Sequence, residues 1–250
     1  VVNTEWFFPP RDLRLRASEV HVWRAHLDSE IPFLERFEGV LSVPEQERAA
    51  RFVLQRDRIR FVVGRGVLRF VLARYTGWPA TMVPLTLGPA GKPRLPVDEA
   101  GAATCFNVSH SDGLVVCAVA RDREIGIDIE ALRPSTSYRE IAEHSFSPVE
   151  LAEWRALPPE HLLEGFFMCW TRKEAYVKAV GAGLSLSLRS FAVSLTPGRP
   201  AVLTSEDAEK WAMRSFCPDQ GYVGAIVAEG SDWSPTFWNW SSRRGLSLGP

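Results

Sequence analysis

The spacing of hydrophobic and polar positions changes several times along this chain, and each change marks an element. Over residues 44–75, Phe61, Leu68, Val71 and Leu72 recur at helical spacing, and Pro44 with Glu45, Gln46 and Glu47 supplies a helix start. Gly77 and Pro79 supply the stop, so the stretch predicts one helix, a turn-like break and a second helix. Residues 84–103 (PLTLGPAGKPRLPVDEAGAA) are too rich in Gly and Pro to hold either period, which predicts a loop with one short strand near 85–87. Two strands follow. Residues 114–120 are apolar throughout, as in a strand at the centre of a sheet, whereas residues 124–129 alternate, and a polar turn at 121–123 joins them. From Phe166 the helical period returns, and it stops at Gly181 and Gly183.

The pattern repeats. Leu41-Ser42 with Pro44-Glu45 resembles Phe146-Ser147-Pro148 with Glu150, and the helix from Phe61 to Gly77 resembles the one from Phe166 to Gly181 or Gly183. Cys105-Phe106 followed by 112–119 resembles Ser215-Phe216 followed by 220–227. The offsets stay similar, at 105, 105 and 110 residues, against the alternative that amphipathic helices look alike by chance. Two similar α/β halves are expected, residues 1–130 and 131–250, with the junction in 131–138 (ALRPSTSY). The tail 231–250 holds Trp233, Trp238 and Trp240 among serines; it is expected to pack across the back of one half, the alternative being a surface that meets an acceptor.

A formal net charge of −1 speaks against a dedicated duplex-DNA binder, so any attraction for phosphate has to come from local clusters. Basic residues are 25 arginines and four lysines, and two of the four, Lys173 and Lys178, lie in the helix after Phe166. Four cysteines follow no metal or disulfide spacing. No apolar run is long enough to span a membrane, and the chain does not open on a basic region followed by an apolar core. The expected compartment is the cytoplasm.

Candidate chemistry concentrates in three places. On a strand Ile125, Ile127 and Ile129 share one face and Gly126, Asp128 and Glu130 the other, so two carboxylates project together, as a hard cation such as Mg²⁺ requires. Taken alone, that pair also fits an exposed strand face. On the helix Trp170, Glu174 and Lys178 share a face, with Phe166, Cys169, Tyr176, Val177 and Val180 supplying much of the apolar side. Glu before Lys at this spacing is also the favoured surface ion pair, although Trp170 implies partial burial. Asn107, Ser109, His110 and Ser111, read as a loop at a strand edge, offer amide, hydroxyl and imidazole to a phosphate, or else a side-chain-stabilised turn. Gly91-Lys92-Pro93 reads as a tight loop with one cation, and Arg48, Arg51, Arg56, Arg58 and Arg60 as a basic stretch.

Together FNVSH (106–110), GIDIE (126–130) and WTRKEAYVKAVGAGLSL (170–186) resemble, in order and spacing, the three signature blocks of the Sfp-type 4′-phosphopantetheinyl transferases. GKP (91–93) and PEQERAARF (44–52) fit that family's N-terminal half, and KEA is a variant of its KES. The resemblance implies an α+β pseudo-dimer of two similar α/β halves, with CoA as co-substrate and Mg²⁺, or Mn²⁺, bound in the cleft between them. It implies transfer of the 4′-phosphopantetheine arm of CoA to a serine of an acyl or peptidyl carrier protein, releasing adenosine 3′,5′-bisphosphate. Asp128, Glu130 and Glu174 would hold the metal, Glu174 acting as ligand, as base for the carrier serine, or as both. Lys178 would meet the departing phosphate, with Lys173 as a second cation nearby. Arg48, Lys92, Ser109 and His110 would bind the adenosine end, with Gly91 and Asn107 shaping the loops. One chain would then supply both halves, which implies a monomer. Two other readings are a Mg²⁺ nuclease, against which the helical Glu–Lys spacing speaks, and a CoA- or carrier-binding module without catalysis.

Overall fold

The computed structural model describes residues 4–88, 91–134 and 137–245, and within them one succession of elements occurs twice. The first unit runs β1 (Glu19–His26), α1 (Leu34–Glu38), α2 (Val43–Ala50), α3 (Gln55–Thr76), β2 (Thr86–Leu87), β3 (Pro93–Arg94), β4 (Thr104–Ser111) and β5 (Leu114–Arg121). The second runs β6 (Ile125–Ala131), α4 (Tyr138–Ser145), α5 (Pro148–Arg155), α6 (Leu162–Val180), β7 (Ala192–Val193), β8 (Leu203–Thr204), β9 (Trp211–Phe216) and β10 (Tyr222–Glu229). β11 (Ser234–Asn239) and α7 (Ser242–Gly245) follow.

Local chemistry explains why the units match. Each opens a helix with a reciprocal capping box, Ser42 with Glu45 at α2 and Ser147 with Glu150 at α5. Each long helix ends on a left-handed glycine, Gly77 at φ 72° and Gly181 at φ 73°. Each capping glutamate also takes a buried cation from the long helix. Arg69 Nε reaches Glu45 Oε2 at 2.6 Å, and Lys173 Nζ reaches Glu150 Oε1 at 2.7 Å. Both cations then donate to the loop that follows their helix, Arg69 to the Ala80 and Val83 carbonyls and Lys173 to those of Leu188 and Phe191.

The strands form two main sheets, ordered β11-β1-β5-β4 and β6-β10-β9. β5 is central, as its continuous apolar run predicts: Val115, Cys117 and Val119 face α3, while Val116, Ala118 and Ala120 face the other sheet. The second sheet repeats this, with Val223, Ala225 and Val227 toward α6 and Ile226 and Ala228 toward the first sheet. Ile125, Ile127 and Ile129 of β6 complete the core between the sheets. β6 pairs with β10, so the repeat turns over at residues 122–124 and the boundary expected at residue 130 falls one strand too late. Alternation along GIDIE fixes its faces but carries no information about its partner strand.

Two short strands, β2 and β3, occupy the predicted loop where one was expected, and Pro89 and Ala90 of it lie outside the described residues. So do Ser135 and Thr136 of the expected junction and residues 246–250 of the tail. The rest of the tail packs on the first unit. β11 lies parallel to β1, Trp240 stacks on Phe70, and Trp233 closes the core between the sheets. Among the described residues no helix is long and apolar enough to cross a membrane.

α6 crosses β6 at Gly126, and it does so at backbone contact. A Cβ on Gly126 would lie 2.0 Å from the Ala175 carbonyl oxygen and 2.4 Å from the Ala179 nitrogen. Neither atom can yield without moving the helix. Gly126→Ala is expected to lower the unfolding free energy by about 3 kcal/mol in a denaturant titration; a variant as stable as the wild type would contradict this packing.

Candidate functional site

β4 and β6 lie edge to edge, but no backbone ladder joins them among the described residues. Side chains replace it. Three alternate residues of β4 face β6, and each accepts a backbone hydrogen bond. Asn107 Oδ1 takes Ile127 N–H at 2.9 Å, Ser109 Oγ takes Ile129 N–H at 3.4 Å, and Ser111 Oγ takes Ala131 N–H at 3.1 Å. All three side chains are buried. The two hydroxyls then donate to the carboxylates of β6, Ser109 to Asp128 Oδ1 and Ser111 to Glu130 Oε2, each at 2.7 Å. A serine has one proton to give, so Ser109 can donate to a phosphate only by releasing Asp128.

From the other side α6 brings Glu174 and Lys178 over the same strand face, because Gly126 lets the helix approach. Lys178 Nζ donates to Asp128 Oδ1 at 2.6 Å and lies 3.4 Å from both the Ile127 carbonyl and Ser109 Oγ. Asp128 Oδ2 is buried with no partner. Burial raises the Asp128 carboxyl above its usual range, with Lys178 and Ser109 pulling the other way. Glu130 is raised by burial and by Asp128 against the opposing Ser111, and Glu174 by burial and by Asp128 against Lys178. Three desolvated carboxylates thus share one ammonium. The deficit is one of positive charge, and the orphaned Oδ2 is an oxygen acceptor inside it. Among the described residues no three His, Cys, Asp or Glu side chains form a ready-made metal cage. The set still fits a hard divalent cation of the Mg²⁺ type, which takes oxygen ligands and needs only one or two protein carboxylates.

Two clefts meet at Pro93, Asn107 and Val108. The first, about 610 Å³, is lined by Gly91, Lys92, Glu174, Lys178, Gly181 and Arg189. In it Lys92 Nζ is held by Glu124 Oε2 at 2.7 Å and by the Ala179 carbonyl at 3.2 Å. The second, about 670 Å³, is lined by Arg48, Phe61, Arg65, His110, Asp112 and Arg133. Arg48 stands over the Phe61 ring, 5.2 Å from its centroid. Enclosure lowers the His110 imidazole, and Lys178 and Arg48 lower it further while Asp128 opposes. Arg56, Arg60 and Arg133 all reach Asp112 Oδ1, at 3.4, 3.4 and 3.0 Å.

Nearly all the residues singled out in sequence therefore converge on one region, with two corrections. Asn107, Ser109 and His110 stand on strand β4 rather than in a loop, and strand alternation sends His110 to the arginine-lined cleft while Asn107 and Ser109 face β6. Lys173 is not a site cation: it is 0% exposed, faces away from Lys178, and spends its ammonium on Glu150 and two carbonyls. Lys173 and Glu174 are neighbours on the helix yet point in different directions, which proximity in sequence conceals. On the apolar side of α6, Val180 is exposed. The reading set Ser111 beside Ser109 as a phosphate donor and missed its bond to Glu130, whose signal was its spacing of two from Ser109; it also missed the close approach at Gly126, whose signal was a glycine inside a strand pattern. It also passed over Arg65 and Arg133.

Residues 124–227 match the 4′-phosphopantetheinyl transferase superfamily, and residues 31–122 match the 4′-phosphopantetheinyl transferase N-terminal family. The two matches meet where the structural repeat turns over. 4′-phosphopantetheinyl transferase HetI of Nostoc sp. is 39% identical over 94% of this chain and 98% of its own length. 4′-phosphopantetheinyl transferase Sfp of Bacillus subtilis is 32% identical over 79% of this chain and 86% of its own. Among solved structures, a holo-(acyl-carrier-protein) synthase from Bacillus anthracis in complex with CoA (3′,5′-ADP) aligns at a TM-score of 0.36 and 25% identity, covering 43% of this chain and 96% of that one.

Two outcomes test the separation of structural from site charges. Lys173→Ala, which strands Glu150 in the core, is expected to cost about 3–5 kcal/mol of stability by denaturant titration; a loss below about 1 kcal/mol would show that the pair does not anchor the loop. Glu174 behaves in the opposite sense. A carboxyl whose pKa is higher folded than unfolded favours folding below its unfolded pKa and opposes it as pH rises through the folded value. Glu174→Gln is therefore expected to unfold at a higher temperature than the wild type at about pH 7 without divalent cations, and to lose that advantage near pH 4. Identical melting curves at both pH values would contradict the crowding of carboxylates.

Proposed function

Because the chain belongs to the 4′-phosphopantetheinyl transferases, we propose that it transfers the 4′-phosphopantetheine arm of CoA to a serine of an acyl or peptidyl carrier protein. The observation that carries this reading is the cluster of Asp128, Glu130, Glu174 and Lys178, of which Glu174 and Lys178 line one cleft that adjoins a second lined by Arg48, Arg65, Arg133 and His110. A bond forms between the serine oxygen and the phosphorus of the arm, the diphosphate bridge breaks, and adenosine 3′,5′-bisphosphate leaves with the electron pair.

The residues divide the work by charge and position. Asp128, Glu130 and Glu174 would hold Mg²⁺ or Mn²⁺, which supplies charge neutralisation for the diphosphate when bound. Glu174 is our candidate to take the serine proton, since burial and Asp128 make its carboxylate more basic than an exposed one. Lys178 neutralises charge on the departing phosphate once that phosphate draws it from Asp128. Arg48, with His110 beside it, receives the adenosine end and its 3′-phosphate, and Arg65 and Arg133 widen the same cationic surface. Gly91 and Lys92 border the other cleft, which would take the arm against α6 and the loop after it. A monomer suffices, because one chain contributes both walls.

Incubation with CoA, Mg²⁺ and a panel of apo carriers, followed by mass spectrometry, should show a carrier gaining one 4′-phosphopantetheine group. No gain across the panel would count against the reading. Glu174→Ala and Asp128→Ala are each expected to lower kcat/KM by at least about 10²-fold while remaining folded; turnover like the wild type in either would reassign the site.

A further inference from the structure

Ser111 has no part in the roles assigned above, yet it is 8% exposed and makes two directed hydrogen bonds. Its hydroxyl donates to Glu130 Oε2 at 2.7 Å and accepts from Ala131 N–H at 3.1 Å. Ser109 repeats the arrangement two residues earlier, donating to Asp128 Oδ1 and accepting from Ile129 N–H. In both, one hydroxyl ties a carboxylate to the backbone N–H of the residue after it. Asn107, the third rung, accepts from Ile127 N–H, but the residue before Ile127 is Gly126, which has no side chain to hold. The two carboxylates differ in their other support. Asp128 is held again by Lys178, whereas the hydrogen bond that orients Glu130 comes from Ser111.

We propose that Ser111 is a positioning residue: it fixes the Glu130 carboxylate in the orientation that a divalent cation needs. The inference rests on the reading that Asp128, Glu130 and Glu174 hold that cation. A glutamate has three rotatable side-chain bonds, and a carboxylate left free to turn must be ordered when the ion arrives. Ser111 removes that cost in advance by spending its single proton on Oε2, which also leaves it nothing to donate to a phosphate. Hydrogen-bond partners of this kind are worth about 10–100-fold in metal affinity.

The probe is Mn²⁺ titrated into protein saturated with CoA, with free ion followed by its paramagnetic resonance signal. Ser111→Ala is expected to bind Mn²⁺ about 10–100-fold more weakly than the wild type. Ser111→Thr, which keeps the hydroxyl, should restore most of the affinity. Equal affinity in Ser111→Ala and the wild type would overturn the proposal, as would a failure of Ser111→Thr to restore affinity while it remains folded. If the alanine variant does not fold, Ser111→Cys, a weak donor of similar size, takes its place, and wild-type affinity in it overturns the proposal. Absence of Mn²⁺ binding by the wild type would instead sink the metal reading itself, and this inference with it.

Discussion

Everything at this site depends on how closely α6 can approach β6. With no side chain at Gly126, the helix backbone at Ala175 and Ala179 settles against the strand, and Glu174 and Lys178, one turn apart, come down over Asp128. A methyl group at residue 126 would hold the helix away and open the Lys178 to Asp128 contact. β4 makes the matching approach from the other side, with Asn107, Ser109 and Ser111 taking the place of a backbone ladder. The carboxylates of β6 are thus gripped by a strand of one unit and a helix of the other, and the site exists only where the two units meet.

The charges of this molecule fall into two kinds. Glu45 with Arg69 and Glu150 with Lys173 are pairs in which a buried cation also satisfies two loop carbonyls, and Glu45 takes Arg65 as well, so neither carboxylate lacks positive charge. They occur at matching places in both units and fix the loop after each long helix. The cluster of Asp128, Glu130, Glu174 and Lys178 is the reverse: it lacks positive charge, its carboxyl groups are all pushed upward, and Asp128 Oδ2 has no partner. Such an arrangement opposes folding at neutral pH and suits a bound cation.

Much of this was legible in the sequence because its causes are local. Capping boxes, helix-ending glycines and the two-sided apolar run of β5 each announce themselves within a few residues, and their recurrence at an offset near 105 exposes the duplication. The carboxylates of GIDIE and the Glu–Lys step of α6 were equally plain. What was hidden is long-range. β1 mixes His21 and Arg24 into an apolar run and has no clean period, so it was not seen as a strand. The partner of β6, the roles of Ser109 and Ser111 toward it, and the inward turn of Lys173 depend on which elements come to lie side by side. No spacing within one segment encodes that.

A crystal structure with CoA and Mg²⁺ tests the central claim most directly, that one site is assembled across the two units and is short of a cation. The account predicts an ion in contact with Asp128, Lys178 moved from Asp128 onto a phosphate of CoA, and the adenosine end beside Arg48 and His110. CoA bound elsewhere, or CoA in the cleft with Lys178 still on Asp128 and no ion beside it, would contradict it.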